Sequence, residues 1–377
     1  MWSVKFWHGS KIFSQGTVLI SLGSLINKGP ASLLGIDISS TTVKLVELGR
    51  GRDGGLVLEH CAMEPLERGW ITEGNIEKFD EVAEAVRRLV RKSGTKTKQV
   101  ALALPGSAVI TKKITLSADL NEREMEIQVE SEAAQYIPFS LSEVSLDFFV
   151  MGPTANSEAY VDVLLAASRK EKVSDRQGLA EAAGLTPVIM DVESYASRMA
   201  ASRVIDSLPN KGKDMLIALF EVGSQNTGLQ VIRNDDVIYE RDQMFGGMLL
   251  SQQIARQYGM SFDEADLKKK NGELPSDYPV KVLKPFMENL AQEIGRALQF
   301  FFTSTPHNKV DYILLSGGSA ALPGLAEVVS TQTSFPCKVI NPFDGMTLGP
   351  GVQARKLASE SNSYLVATGL ALRRFYQ

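Results

Sequence analysis

Cysteine and histidine are scarce, with 2 and 3 copies in 377 residues, and Cys61, Cys337, His8, His60 and His307 stand in no metal-ligand or redox spacing. That argues against a zinc site and leaves the two cysteines as reduced core or surface thiols. Excess charge of one sign is missing too: 40 basic and 44 acidic residues give a net charge of −4. The basic residues are scattered, so no nucleic-acid footprint is expected. Long apolar runs are also absent. A bilayer-spanning helix needs about 20 apolar residues, and the best candidate, TVLISLGSLI at 17–26, is half that length. What is present is a chain too long for one ordinary core, which favours two or three domains.

The first thirteen residues, MWSVKFWHGSKIF, are basic and aromatic and are followed by that apolar segment. A signal peptide or a membrane-surface anchor is one reading. No convincing small-residue cleavage pattern supports it. Residues 1–31 are therefore expected to lie outside the fold, as a loose arm or a translation start assigned too early.

The run GIDISSTTVKLVEL, residues 35–48, reads as two short strands joined by a tight polar turn that carries one acid. Backbone N–H groups in a turn of small residues can converge on an anion, and hydroxyls can add donors. A carboxylate at the strand end can hold the water shell of a magnesium ion. An ordinary turn with a solvated Asp37 explains the same residues. A second copy, LIALFEVGSQNTGLQVI at 216–232, has a strand ending in Glu221, then Gly223, Ser224, Gln225, Asn226 and Thr227, then a strand from Gly228. A third piece, YILLSGGSAALPGL at 312–325, is an apolar strand running into Gly317 and Gly318, where the backbone can approach something flat or anionic closely.

Three such elements in this order resemble the actin, hexokinase and chaperone ATPase superfamily, in which two related halves close on ATP with one phosphate hairpin each. Within it the chain is similar to the PilM family of type IV pilus assembly proteins, itself similar to the division protein FtsA. The resemblance is carried by GIDISSTTVKLVEL, AAQYIPFSLSEVSLDF (133–148), MDVESYASRMA (190–200), the second hairpin, LLSGGSAALPGL and YLVATGLALR (364–373). It covers nearly everything after residue 32. It implies an α/β, actin-like (ribonuclease H-like) two-lobed fold with an FtsA-type 1C subdomain.

The periodicity agrees with that architecture. Strands are expected at 33–38, 42–48, 55–62 and 99–104 and a helix at 77–93, where Phe79, Val82, Ala83, Val86, Leu89 and Val90 recur with helical period. The resulting division is a first lobe at 32–106, an inserted 1C block at 107–185, a return to the first lobe with an interlobe helix at 186–212, a second lobe at 213–361, and a C-terminal helix at 362–377. Within the second lobe, the expectation is a helix at 248–258, an exposed short helix and turn at 263–275, and a helix at 280–302. The apolar face of the last of these reads as core, and Lys268, Lys269 and Lys270 read as a solvated run.

By the resemblance, the cofactors are ATP and magnesium. Asp37 and Glu221 would hold the metal's waters. Ser39, Ser40, Thr41, Lys44, Gly223, Ser224, Thr227, Gly246 and Gly247 would lie near phosphate, and Gly317 and Gly318 beside the adenosine. Glu193 matches the position where bacterial relatives of actin orient the attacking water. It equally suits an acid that merely complements a helix dipole. Asp191 reads as a group ending its strand. Two departures bear on turnover: Glu221 stands where the superfamily usually has Asp, and Ser39 where it usually has glycine. The expectation is ATP binding with slow hydrolysis at most.

The implied role is a cytoplasmic scaffold held peripherally at the inner membrane by a protein partner. That partner is the cytoplasmic N-terminal tail of PilN, in a groove beside 1C near Ile137, Pro138 and Phe139, with other pilus inner-membrane components and self-association as further contacts. Core packing is the competing reading of Ile137 and Phe139. The alternatives are a small-molecule kinase, for which the 1C-like block leaves no obvious acceptor cleft, and an FtsA-like division adaptor. The latter usually ends in a linker and a membrane-binding helix, whereas this sequence ends in GLALRRFYQ.

Overall fold

A computed structural model describes residues 5–6, 32–154 and 157–375, and the rest of the expected N-terminal arm lies outside the described residues. The chain forms two compact units. The first comprises Met1–Ser197, Met346–Val352 and Val366–Gln377, and the second Arg198–Gly345 and Gln353–Leu365.

The first unit opens with β1 (Lys5–Phe6), β2 (Leu34–Ile38), β3 (Thr42–Arg50) and β4 (Leu56–Pro65), then a small hairpin of β5 (Ile71–Thr72) and β6 (Asn75–Ile76). Helix α1 (Phe79–Ser93) and β7 (Gln99–Leu104) follow. Val82, Ala83, Ala85, Val86, Leu89 and Val90 make the buried stripe of α1, Asp80 and Glu81 sit in its first turn, and Gly94 ends it at φ 71°. Burying a side chain such as Leu89 contributes roughly 1.5–3 kcal/mol, and the stripe packs on Leu34, Ile36, Val43 and Leu45 of the sheet.

An inserted block of β8 (Val109–Ser117), α2 (Glu122–Tyr136), β9 (Val144–Thr154), β10 (Ser157–Arg169) and α3 (Lys170–Ala182) precedes β11 (Thr186–Val192) and α4 (Glu193–Ile205). Its three strands form a separate antiparallel sheet, β8-β10-β9. Helix α2 starts with a reciprocal cap: the Asn121 side chain accepts from the Glu124 N–H at 3.1 Å, and the Glu124 carboxylate accepts from the Asn121 N–H at 3.0 Å. Met125, Val129 and Ala133, four residues apart, pack on Ile114, Leu116, Val163 and Leu165. Ile137 continues that spacing into the same core, 6 % exposed. It is therefore core, the competing reading, and no groove wall as the partner reading had it. Pro138 and Phe139 are exposed, and the Arg169 guanidinium lies over the Phe139 ring at 4.2 Å.

The second unit contains β12 (Ile217–Val222), β13 (Thr227–Arg233), β14 (Asp236–Gln243), α5 (Met248–Tyr258), α6 (Phe262–Asn271), α7 (Lys284–Ser304), β15 (Tyr312–Ser316), α8 (Leu325–Thr333), β16 (Cys337–Val339) and α9 (Ala354–Glu360), while β17 (Thr347–Leu348) and, but for Leu365, α10 (Leu365–Leu372) belong to the first. Phe286, Leu290, Ile294, Leu298 and Phe301 of α7 are buried with Phe220, Val222, Leu229 and Val231 of its sheet. The helix expected at 280–302 begins differently, as a π-helical turn at Pro279–Leu283. A 3₁₀ turn at Gly318–Ala321 follows β15, and α8 starts at Leu325 behind it.

Strand order carries the main result. The first sheet runs β1-β11-β7-β2-β3-β4-β17 and the second unit's sheet runs β14-β13-β12-β15-β16. In each, three antiparallel strands in sequence, β2-β3-β4 and β12-β13-β14, are extended by parallel strands beside the first of them. One topology is used twice. The arm expected to stay outside the fold reaches the first sheet, because Lys5–Phe6 pairs in parallel with Ile189–Met190.

Candidate functional site

The duplication extends to the turns. Ile38 pairs with Val43 in the first hairpin and Val222 with Thr227 in the second, so each turn has four residues, and each acid lies one pair earlier, Asp37 opposite Lys44 and Glu221 opposite Gly228. Both turns close alike: the Ser39 N–H donates to the Thr42 carbonyl at 3.0 Å and the Gly223 N–H to the Asn226 carbonyl at 2.9 Å.

In the first unit, the strand pairing brings Lys44 Nζ to 2.7 Å from Asp37 Oδ2, with both residues buried. Ser39 is committed to the turn, its hydroxyl donating to the Thr42 carbonyl at 2.9 Å. Ser40 is half-buried and Thr41 exposed, which leaves these two as the outward face of the turn. Glu193 is half-buried at the first residue of α4.

Sequence reasoning missed Arg176. It is 2 % exposed and donates to the Ile38 carbonyl at 2.9 Å and to the Gly74 carbonyl at 3.3 Å. Burial pushes its guanidinium below the ordinary value, opposed by the negative charges of Glu193, Asp37 and Asp175. An arginine stays charged under such a shift. The buried Arg176 thus feels three acids, Glu193, Asp37 and Asp175, and Asp37 is itself paired with Lys44, which offsets the cost of burying these charges. A signal existed: in α3 the buried positions are Val173, Arg176, Leu179 and Ala180, and an arginine in an apolar stripe calls for a partner.

Asp191 was misread as a strand-ending group. Arg373 Nε donates to its Oδ2 at 2.6 Å, with side chains 4 % and 0 % exposed, while Oδ1 accepts from the Val192 N–H. It is a buried ion pair that ties the chain's last turn to β11.

In the second unit three loops meet. The Gly247 N–H donates to the Gly223 carbonyl at 3.0 Å, the Met248 N–H to the Ser224 carbonyl at 2.8 Å, and the Ser319 hydroxyl to the Gly223 carbonyl at 3.1 Å. The N–H groups of the N-cap Gly247 and of Met248, the first residue of α5, are thereby taken by the hairpin. Gly246 and Gly247 lock loop to loop, since a Cβ on either would run into Ser224 or Ser319. Gly317 has φ 90° and passes so close to Val222 that a Cβ would lie 2.5 Å from its carbonyl oxygen. Its N–H donates to the Asn362 carbonyl at 2.9 Å. Gly318 has room, with Ser363 Oγ at 3.8 Å. Thr227 is 2 % exposed and its hydroxyl donates to the Phe245 carbonyl at 2.6 Å, so it braces the loop. Glu221 is half-buried beside Ser316 of β15. In the lysine run, Lys268 pairs with Glu264, and Lys269 and Lys270 with Asp266, while Lys269 also donates to the Ser251 hydroxyl of α5 at 2.6 Å.

A separate cavity of the first unit lies between the inserted sheet and β11. Asp147, Phe148, Leu164 and Ala166 line one side, and Met190, Asp191, Val192 and Tyr195 the other. Because strand side chains alternate, Leu164 and Ala166 face away from the core that receives Val163, Leu165 and Ala167.

The model of the family described as type IV pilus assembly protein PilM matches residues 35–375. The chain belongs to the PilM family. A solved PilM-PilN type IV pilus biogenesis complex is similar over 91 % of this chain and 98 % of that one, at 28 % identity and a TM-score of 0.75. The ethanolamine utilization protein EutJ of Carboxydothermus hydrogenoformans shares the fold at 17 % identity, covering 91 % and 90 % of the two chains with a TM-score of 0.54. EutJ of Escherichia coli (strain K12) is 27 % identical over 142 residues, 37 % of this chain, and the match spans about half of that relative, 46 %. The fold is actin-like α/β, and the chain is a type IV pilus assembly protein of that fold. Among the described residues, no helix is long and apolar enough to cross a membrane.

Proposed function

We propose that this PilM-family protein binds ATP with magnesium and acts as a scaffold of pilus assembly by holding the cytoplasmic tail of PilN at the inner membrane. The observation that carries the partner is the likeness to the PilM-PilN complex over 91 % of the chain. The cavity beside the inserted sheet supports a peptide site, since it places apolar side chains next to a strand edge. Phe139 stays a candidate for its rim; Ile137 does not.

For the nucleotide, the donor set fits. Magnesium keeps most of its water and is bound by one or two carboxylates plus substrate phosphates, and a lone Asp37 at a strand end suits that. Among the described residues no group of three or more His, Cys, Asp or Glu side chains stands ready for direct coordination. When bound, the ion would neutralise phosphate charge. Lys44 would add a fixed cation, Ser40 and Thr41 would offer donors, and Glu221, Gly223 and Ser224 would present the second hairpin. Gly246, Gly247 and Gly317 shape loops and Thr227 braces them, so their part is positioning. Glu193 would orient a water, with Arg176 holding its charge in place. Slow hydrolysis at most is expected.

The test of the whole reading is titration of the purified chain with a labelled peptide of the PilN cytoplasmic tail. Saturable binding in the micromolar range or tighter supports it. No binding by folded protein refutes the scaffold role, while ATP affinity is decided separately by calorimetry.

A further inference from the structure

Strand β11 would be the open edge of its sheet but for Lys5–Phe6, which lies parallel to it with Lys5 opposite Ile189 and Phe6 opposite Met190. The same two residues approach β9. They therefore reach the corner where Asp147 and Phe148 of β9 and Met190, Asp191 and Val192 of β11 line the cavity. An exposed sheet edge offers unpaired N–H and C=O groups, and any extended segment can satisfy them while neighbouring pockets take its side chains. An edge can hold only one such segment at a time.

We infer that the chain's own N-terminal segment around Lys5–Phe6 is an intramolecular occupant of the β11 edge, which an extended partner peptide must displace in order to pair there. This rests on the proposed function, which places a peptide beside the inserted sheet, and it adds regulation to that site. Two paired residues make a weak latch. A tethered segment nevertheless competes at an effective concentration on the order of millimolar. A latch with an intrinsic dissociation constant of about 0.1–1 mM then lowers partner affinity roughly 2- to 10-fold.

The test compares the full-length chain with its Lys5→Pro/Phe6→Pro variant, because proline has no N–H and cannot continue a ladder. Hydrogen exchange is followed at the Val188–Val192 amides, and both proteins are titrated with a fluorescein-labelled peptide of the PilN cytoplasmic tail. The expected result is faster exchange in the variant and tail binding tighter by roughly 2- to 10-fold. Equal exchange in the two proteins overturns the latch. Faster exchange with equal tail affinity overturns the competition, and a difference in exchange that vanishes on dilution assigns the latch to a second copy instead. If the tail binds neither protein, the partner reading fails, and exchange alone decides whether the segment is seated.

Discussion

Replacing Asp37 by alanine removes one half of an ion pair whose side chains are 7 % and 10 % exposed and whose atoms are 2.7 Å apart. Lys44 is then left buried without its cross-strand partner. Breaking a buried pair in this way costs about 3–5 kcal/mol. For a unit of about two hundred residues that lowers the melting temperature by roughly 6–20 °C. Removing both charges, in Asp37→Ala/Lys44→Met, should recover most of that loss, since replacing a buried ion pair with apolar groups is often neutral.

Nucleotide binding separates from stability in the same series. If Asp37 holds the metal's water shell, Asp37→Ala should lose the magnesium-dependent part of ATP affinity, about 10- to 100-fold or 1.4–2.7 kcal/mol, and lose little when magnesium is absent. Lys44→Met should weaken ATP with and without magnesium alike, because it removes a phosphate cation and no metal contact. Calorimetry with and without magnesium, beside thermal melts of each variant, distinguishes the cases. An Asp37→Ala protein that keeps the wild-type gain from magnesium removes Asp37 from the metal site. One that melts with wild type shows that the Asp37–Lys44 pair does not hold the hairpin.

Three further outcomes are expected. Glu193→Ala should abolish any slow ATP hydrolysis, followed by phosphate release, while keeping ATP affinity within a few-fold; unchanged release would return Glu193 to the role of a helix-start acid. Gly317→Ala should cost about 1–3 kcal/mol in urea unfolding because of its φ of 90° and the Val222 carbonyl, whereas Gly318→Ala should be near neutral; equal losses would mean the loop relaxes freely. Burial, then the charge of Glu327, pushes the half-buried Cys337 thiol up to about 12, so at pH 8 its thiolate fraction is on the order of one in ten thousand and alkylation, read by mass spectrometry, should run about a thousandfold slower than for an ordinary thiol.

The parts of the fold that sequence revealed are those fixed by short-range physics. The α1 stripe, the two hairpins and the strand-ending acids Asp37 and Glu221 are written within windows of fifteen residues or so, where period and turn chemistry suffice. What escaped is long-range. Arg176 meets the Ile38 carbonyl across 138 positions, and Arg373 meets Asp191 across 182, and no local pattern pairs such groups. Ile137 differs, since its spacing of four from Met125, Val129 and Ala133 was visible and favours the core reading over the groove reading with which it competed. Thr227 shows the limit of a composition argument: a hydroxyl in a polar turn suits phosphate, but this one is spent on the Phe245 carbonyl.

The duplicated hairpins also explain why binding is a firmer expectation than turnover. In matching registers, Asp37 faces Lys44 across its ladder, whereas Glu221 faces Gly228. The first acid is therefore fixed by a buried cation before any nucleotide arrives, which favours an ordered phosphate and metal site. The second acid stands opposite Gly228 and carries one more methylene than the aspartate usual at this place in the superfamily. An in-line water attack is sensitive to a displacement of about 1 Å, which can cost on the order of a hundredfold, and the added methylene of Glu221 shifts its carboxylate by about that much. Restoring the shorter acid in Glu221→Asp should then raise any hydrolysis rate more than it changes ATP affinity, and an effect on affinity alone would place Glu221 among groups that bind nucleotide without governing the water.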